Sequence, residues 1–300
     1  MKEEINRRGF LQLTAAGIAL CLASIGCHMR IASSKGPRLT FPRLEDKLER
    51  MQAKKNNLPD KYAVIINGDN SKLHIRNVSL VYNLLKQNDF THQNIFVLSY
   101  HKSTNDEQIP TYAPTFGNLQ IVFRFLSDTV DDKDFLFIYG TGHGTIKGDA
   151  AEMCIRKICP VCKLPHRIAT VSEIEFEYLI EDIHPKYGVL VFDQCHAGGF
   201  GTKLQARGNF VLVCRAAQDE SGTCKYFAKA FFDAFGDASS DADNNGRISI
   251  GEAFSKTLQT INQIDPSYQK YQYTPSIKGG LDANTIYLEG SVEKNSEVVK

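Results

Sequence analysis

Apolar runs and helical patterns alternate along residues 59–236 of the chain. Five segments are short and almost continuously apolar, which is typical of buried strands: Tyr62–Asn67, Asn94–Ser99, Asp134–Tyr139, Val189–Phe192 and Phe210–Val213. Helical patterns lie between and after them: Val78–Leu85, Leu119–Leu126, the stretch that follows the capping box of Ser172 and Glu175, and Lys225–Phe235. This alternation predicts an α/β fold with a mostly parallel central sheet. Because the strands are apolar throughout, we expect helices on both faces, which makes a three-layer sandwich.

Two of the predicted strands run directly into polar, glycine-rich segments. The third continues into Gly140-Thr-Gly-His143-Gly144, and the fourth into Asp193-Gln-Cys195-His-Ala-Gly-Gly199. Chemistry in such sheets gathers at the carboxyl ends of the strands, and an imidazole beside a thiol can take its proton. The pattern therefore predicts Cys195 as a nucleophile and His143 as its proton-transfer partner. The backbone N–H groups of Gly144 and Cys195 are candidate oxyanion donors.

The two polar segments also resemble known catalytic motifs. His143 precedes Cys195 by about 50 positions, the separation found in caspase-type enzymes. Both segments resemble the His and Cys blocks of the clan that contains legumains, metacaspases and caspases. Within it the legumain family fits best, because Tyr62–Asn70, Arg76 and Ile95–Leu98 are similar to that family's opening block. The similarity spans roughly residues 60–235.

This resemblance implies a caspase-like fold and a cysteine endopeptidase that acts on a peptide or protein substrate through a Cys–His dyad and a thioester. By position, Arg76 and Asp193 correspond to residues that line the pocket for the residue before the cleaved bond. An Arg and an Asp together suit Asn, or Asp at low pH, whereas a metacaspase-like pocket would select Arg or Lys. A transamidase or ligase with the same dyad and a non-catalytic binding module are the alternatives. The natural substrate, any activating cleavage and the oligomeric state stay open.

Residues 241–252 match the spacing of an EF-hand calcium loop. The ligand positions are occupied by Asp241, Asp243, Asn245, Arg247 through its backbone carbonyl, Ser249 and Glu252, with Gly246 at the turn. The pattern predicts one bound Ca²⁺ with a structural role, and the alternative is an acidic turn without a metal. Phe231–Phe235 is the candidate entering helix.

A cluster of thiols lies between the His and Cys segments, in what is predicted to be a β-hairpin insertion. Its members are Cys154, Cys159, Cys162 and His166. Three thiols and one imidazole suit a structural zinc site, while an oxidising compartment would favour a disulfide. Both interpretations stay open, as do free thiols. Cys214 and Cys224 are either buried thiols or a pair.

Residues 1–27 have the pattern of an export signal. Arg7 and Arg8 resemble a twin-arginine motif, and the apolar run Leu13–Ile25 is shorter than the roughly 20 residues of a membrane-spanning helix. Small residues precede Cys27, so lipid attachment at that thiol is a further prediction. The expected location is the periplasm or the outer side of a bacterial membrane.

The remaining domain organisation follows from composition. Residues 28–58 are predicted to be a linker with a short charged helix, residues 59–236 the catalytic domain, residues 237–254 the calcium loop, and residues 255–300 a helix and tail. The chain is 42% hydrophobic and 23% charged, as ordinary globular proteins are. The formal net charge of +1 argues against nucleic acid as a partner.

Overall fold

A computed structural model describes residues 44–52, 58–100, 109–158, 165–201, 207–221, 225–265 and 274–289. The predicted export signal with Cys27, the thiols of Cys159, Cys162 and Cys224, and the side chain of His166 lie outside the described residues. Among the helices that the structure describes, none combines the length and the apolar character that a membrane crossing requires.

A seven-stranded sheet forms the centre of the molecule. Its strands in chain order are β1 Lys61–Asn67, β2 Ile95–Ser99, β3 Thr111–Tyr112, β4 Phe135–Thr141, β8 Tyr187–Asp193, β9 Phe210–Cys214 and β10 Ser276–Gly279. Their order across the sheet is β10-β9-β8-β4-β1-β2-β3. All neighbouring pairs are parallel except β9 and the edge strand β10. The five predicted strands are confirmed and form the interior of this sheet.

Six α-helices accompany the sheet in the described part of the chain. They are α1 Leu44–Gln52, α2 Lys72–Gln87, α3 Phe116–Thr129, α4 Glu173–Ile180, α5 Phe227–Ala234 and α6 Ile250–Ile264. Serine and threonine caps set where several of them begin, since a side-chain oxygen there satisfies an otherwise unpaired backbone N–H. The capping box of Ser172 and Glu175 at α4 forms as predicted.

Alternate residues of each strand face opposite layers of the sandwich. Ala63 and Ile65 of β1 pack in a core cluster with α2, α5 and α6, whereas Val64 and Ile66 pack in a second cluster with α1, α3 and α4. All four side chains are fully buried. The predicted fold, a mostly parallel sheet with helices on both faces, is confirmed.

A small antiparallel sheet is inserted between the His and Cys segments. It consists of β5 Gly144–Lys147, β6 Ala150–Ile158 and β7 Pro165–Ser172, in that order. The expected β-hairpin insertion is therefore confirmed, with one strand more than a hairpin. Its first strand begins directly after His143, which ties the insertion to the edge of the central sheet.

Candidate active site

The register of the central sheet brings the His and Cys segments together. β4 and β8 are parallel neighbours, and their last residues, Thr141 and Asp193, are paired. His143 and Cys195 each follow this pair by two positions. The two segments therefore leave the same edge of the sheet side by side. We call Asp69, His143, Cys195 and Arg215, which all follow strands at this edge, the strand-end site.

Backbone contact joins the two segments directly. A Cβ atom on Gly144 would lie 2.0 Å from the carbonyl oxygen of Cys195, so only glycine fits at this position. The Cys154 N–H donates to the His143 carbonyl at 2.8 Å, and Gly144 pairs with Met153. Because pair types alternate along an antiparallel ladder, the Gly144 N–H points away from β6. That orientation is the one an oxyanion donor needs.

A carboxylate that sequence reasoning did not assign lies against His143. The Asp69 Oδ2 atom is 3.1 Å from His143 Nε2, and Asp69 is buried while the His143 side chain is 73% exposed. Burial opposes ionisation of Asp69, but hydrogen bonds from Ser71 and the nearby imidazoles outweigh it and hold its pKa below the usual value. An ionised Asp69 can orient the imidazole and stabilise its protonated form. With Nε2 engaged, Nδ1 is the nitrogen left to exchange a proton with a thiol.

Local backbone geometry makes the approach of Asp69 possible. Gly142, the residue before His143, has φ +127°, a conformation that residues with a side chain rarely adopt. A Cβ atom on Gly142 would lie 3.5 Å from the Asp69 Cβ. The Asp69 N–H in turn donates to Asn67 Oδ1 at 2.9 Å, at the end of β1. The loop after β1 is thus held against the loop after β4.

His74 lies beneath the site, on the first turn of α2. Its ring centroid is 6.3 Å from that of His143, edge to face, and its Nδ1 is 2.7 Å from Thr141 Oγ1. Thr141 donates its single hydroxyl proton to Asp193, so His74 must donate to Thr141 through Nδ1–H. Burial lowers the pKa of His74 to about 4, with Asp69 opposing. His74 is therefore neutral near pH 7.

Asp193 is the centre of a buried polar network. Its Oδ2 accepts hydrogen bonds from Asn77 Nδ2 at 3.2 Å, Tyr139 Oη at 3.2 Å and Thr141 Oγ1 at 3.3 Å, and its Oδ1 lies 3.6 Å from Arg215 Nε. Burial raises its pKa to about 6, although Arg215 and the hydrogen bonds oppose this. The shift from 3.8 corresponds to about 3 kcal/mol in favour of the neutral form. Oδ2 accepts from three donors and Oδ1 faces the Arg215 guanidinium, so a substrate group would have to compete with groups of the protein itself.

The basic residue beside the Cys195 thiol is Arg215. Arg215 follows β9, is 7% exposed, and its Nη2 lies 3.3 Å from Cys195 Sγ. Arg76 is exposed on α2. The structure thus places Arg76 at the surface and Asp193 in the interior, and a shared pocket for these two residues stays a prediction.

His196, directly after Cys195, faces another loop. Its φ is 60°, and its Nδ1 lies 2.8 Å from the carbonyl oxygen of Gln218. Its backbone N–H also donates to the Glu220 carbonyl at 2.9 Å. These contacts anchor the turn that presents Cys195.

Compared with models of known protein families, the chain matches none of them, and no curated protein matches it. The chemistry of the strand-end site is therefore inferred from its own side chains: a thiol, an imidazole, an orienting carboxylate and a buried guanidinium.

A second polar cluster, the 241–252 loop, lies between α5 and α6. Carboxylate oxygens of Asp241, Asp243 and Glu252 lie within 4.8 Å of one another. The turn between them uses two residues with positive φ, Asn244 at 58° and Gly246 at 79°. Three converging carboxylates are hard oxygen ligands of the kind that Ca²⁺ prefers. The residues present therefore fit the predicted cation.

Two of the three other predicted ligands of this loop, Ser249 and Arg247, have additional contacts. Ser249 is fully buried and caps α6 in a capping box, in which its hydroxyl donates to Glu252 Oε2 at 2.8 Å. The Arg247 guanidinium lies 3.8 Å from the ring centroid of Tyr287, and its Nε is 3.3 Å from Glu289 Oε2. The Arg247 charge is therefore drawn to the C-terminal segment, which leaves its backbone carbonyl as the predicted ligand.

Cys154 is the member of the thiol cluster that the structure describes with its side chain. Its thiol is half-buried and forms no disulfide with another described cysteine, and burial raises its pKa. Asp69 and Cys195 are among its electrostatic neighbours. The choice among zinc, a disulfide and free thiols stays a prediction, because the side chains of its three partners lie outside the described residues.

Proposed function

We propose that this protein is a cysteine endopeptidase that cleaves peptide bonds with Cys195 as nucleophile and His143 as acid and base. The observation that carries this proposal is the pairing of Thr141 with Asp193, from which both segments leave the sheet in step. The resemblance of these segments to those of legumains and caspases supports it, as does the confirmed three-layer fold. Folds host many functions, so the side chains carry the argument.

The proposed reaction divides into two acyl-transfer steps. His143 Nδ1 takes the proton of Cys195 Sγ, and the sulfur attacks the scissile carbonyl carbon. The N–H groups of Gly144 and Cys195 hold the oxyanion, and His143 then gives its proton to the leaving amine. Water attacks the resulting thioester and regenerates the thiol. Throughout, Asp69 keeps the imidazole oriented through Nε2.

Calcium is part of the proposal as a structural ion. Asp241, Asp243, Asn245, Ser249 and Glu252 would bind it with side-chain oxygens and Arg247 with its carbonyl. When bound, it would neutralise carboxylates that otherwise repel one another. The 241–252 loop is connected to the C-terminal segment by the bridge between Ser249 and Tyr287, so we expect the ion to act on stability.

A peptide-library cleavage profile tests the peptidase assignment. Wild type is compared with Cys195→Ser, His143→Ala and His184→Ala, the last being a second exposed histidine away from the strand-end site. We expect cleavage to fall by about 10³-fold or more in the first two variants and to persist in the third. Retained cleavage in Cys195→Ser would exclude Cys195 as the nucleophile.

Product analysis separates hydrolysis from the alternatives. With an added amine nucleophile, a peptidase releases mainly the free acid, whereas a transamidase or ligase forms the new amide. A wild-type protein that cleaves and joins no peptide, with or without calcium, would instead support the binding module.

A further inference from the structure

Arg215 is held at the same strand edge as the candidate nucleophile. β8 and β9 are parallel neighbours, with Phe192 paired to Cys214, so Asp193 and Arg215 are the next residues along each strand. The Arg215 N–H donates to the Phe192 carbonyl at 3.0 Å, which continues the ladder past the end of β9. The sheet therefore fixes the backbone of Arg215, one strand away from the segment that carries Cys195.

The guanidinium is nearly buried and contacts two acidic groups. Its side chain is 8% exposed, its Nη2 is 3.3 Å from Cys195 Sγ, and its Nε is 3.6 Å from Asp193 Oδ1. A buried positive charge is costly unless an anion compensates it. Asp193 is one such anion, and the Cys195 sulfur, which lies against Nη2, is the second acidic group in contact with the guanidinium.

The other groups near this thiol differ in how strongly they can act on it. His143 is 73% exposed, so water screens the charge of its imidazolium. His74 is neutral near pH 7, and the carboxylate of Asp69 repels a negative charge on the sulfur. Cys154 is a further acid in the vicinity. Arg215 is thus the buried cation in contact with the sulfur among the described residues.

We propose that Arg215 is the counterion of the Cys195 thiolate. When the S–H bond breaks, its electron pair stays on sulfur opposite the guanidinium, and the proton passes to His143 Nδ1. Asp193 positions the guanidinium through Nε so that Nη2 faces Sγ. The use of this thiolate in catalysis rests on the proposed peptidase function, but the charge pair itself does not.

Alkylation of Cys195 by iodoacetamide measures the charge pair without any substrate. The rate at Cys195 is followed by peptide mass mapping between about pH 5.5 and 9.5 in wild type, Arg215→Met and Arg215→Lys. In Arg215→Met we expect the rate near pH 6 to fall about tenfold or more, and the rate near pH 9.5 to stay within about twofold, because the thiolate forms there without help. Arg215→Lys should restore part of the rate at low pH.

Removing the guanidinium also leaves Asp193 without its charge partner, which is expected to weaken folding. The pair Asp193→Asn and Asp193→Asn/Arg215→Met therefore repeats the comparison without that carboxylate. Equal alkylation profiles within this pair and between wild type and Arg215→Met would overturn the proposal. A uniform change at every pH would overturn it as well, because it would indicate altered access to the thiol.

The same samples are assayed for peptide cleavage, so two failures can be told apart. If the pH profile of alkylation depends on Arg215 but the protein cleaves no peptide, the charge pair is supported and the peptidase function is rejected. If cleavage depends on Cys195 but the alkylation profile is the same with and without Arg215, the peptidase function is retained and the charge pair is rejected.

Discussion

The strand-end site and the 241–252 loop are assembled in opposite ways. The strand-end site takes one residue each from the segments after β1, β4, β8 and β9, so its geometry depends on the register of four parallel strands. The predicted ligands of the 241–252 loop come from twelve consecutive residues, and a turn with two positive-φ residues brings three of their carboxylates together. One site therefore depends on the whole sheet and the other on a local turn.

Burial separates the two regions as clearly as assembly does. Asp193 and Arg215 are almost completely buried, and each satisfies part of the other's charge. Asp243 is exposed and Asp241 and Glu252 are only partly covered, so water can compensate their charge until a cation does. We therefore expect substitutions in the first region to change reactivity and those in the second to change stability.

Outside the proposed Cys–His dyad, the largest expected effect is the loss of the carboxylate beside His143, Asp69→Asn. This change keeps the shape of the side chain but removes the charge beside His143 Nε2. Because His143 is exposed and water can partly replace the carboxylate, we expect kcat/KM to fall about 100-fold, equivalent to about 2.7 kcal/mol, rather than the larger loss seen in fully buried triads. Asp128→Asn, at an exposed position on α3, is the matched control. A loss of less than about threefold in Asp69→Asn would show that Asp69 does not orient His143.

The sequence predicts the strands of the sheet interior well, but not its edges. The strands β1, β4, β8 and β9 are continuous apolar runs because both of their faces are covered, and this leaves a strong pattern. β3 has only two residues and is not among the five predicted strands, and β10 lies in the segment 255–300 that was predicted to be a helix and tail. Edge strands this short bury too few side chains to produce a pattern.

The same reasoning explains which site residues were predicted. His143 and Cys195 stand out because glycines surround them at strand ends. Asp69 and Arg215 also follow strands directly, but polar residues after a strand are common, and nothing local marks these two. Both residues reach the site only because β1 lies beside β4 and β9 lies beside β8. The order of strands across the sheet could not be read from the sequence, so these two residues were not predicted.

The second expected effect concerns calcium and Glu252→Gln. Free calcium at about ten times the Kd should stabilise the wild-type protein by about 1.4 kcal/mol, which corresponds to a rise in Tm of roughly 3–6 °C. Glu252→Gln should abolish this rise while still capping α6, since Gln also serves in a capping box. Thermal melting with calcium and with a chelator measures both.

Glu175→Gln is the matched control for the calcium experiment. Glu175 forms the same type of capping box with Ser172 at α4, where no converging carboxylates are present among the described residues. Because Gln also serves in a capping box, Glu175→Gln should change stability about as little through the cap as Glu252→Gln does. Its Tm should still rise when calcium is added. If calcium raises Tm equally in wild type and Glu252→Gln, the 241–252 loop is not a calcium site.

The smallest expected effect is a pH-dependent loss of stability from His74. Its pKa is about 4 in the folded protein against an ordinary value of 6.5, because burial disfavours the charged ring. Above pH 6.5 the ring is neutral in both states and costs nothing. As the pH falls toward 4, the unfolded chain binds the proton and the folded protein does not, so folding stability is lost. Between pH 7 and 5.5 the loss should be about 1 kcal/mol, allowing for partial exposure of the ring. Chemical denaturation of wild type and His74→Gln at both pH values measures this loss.

Asp193 contributes with the opposite sign, because its raised pKa favours the folded state at low pH, but it does so in both proteins. The difference in unfolding free energy between the two proteins therefore isolates the contribution of His74. On acidification from pH 7 to 5.5, wild type should lose about 1 kcal/mol of unfolding free energy relative to His74→Gln. A difference that stays constant with pH would mean that the ring beneath the strand-end site is charged as readily as in the unfolded chain.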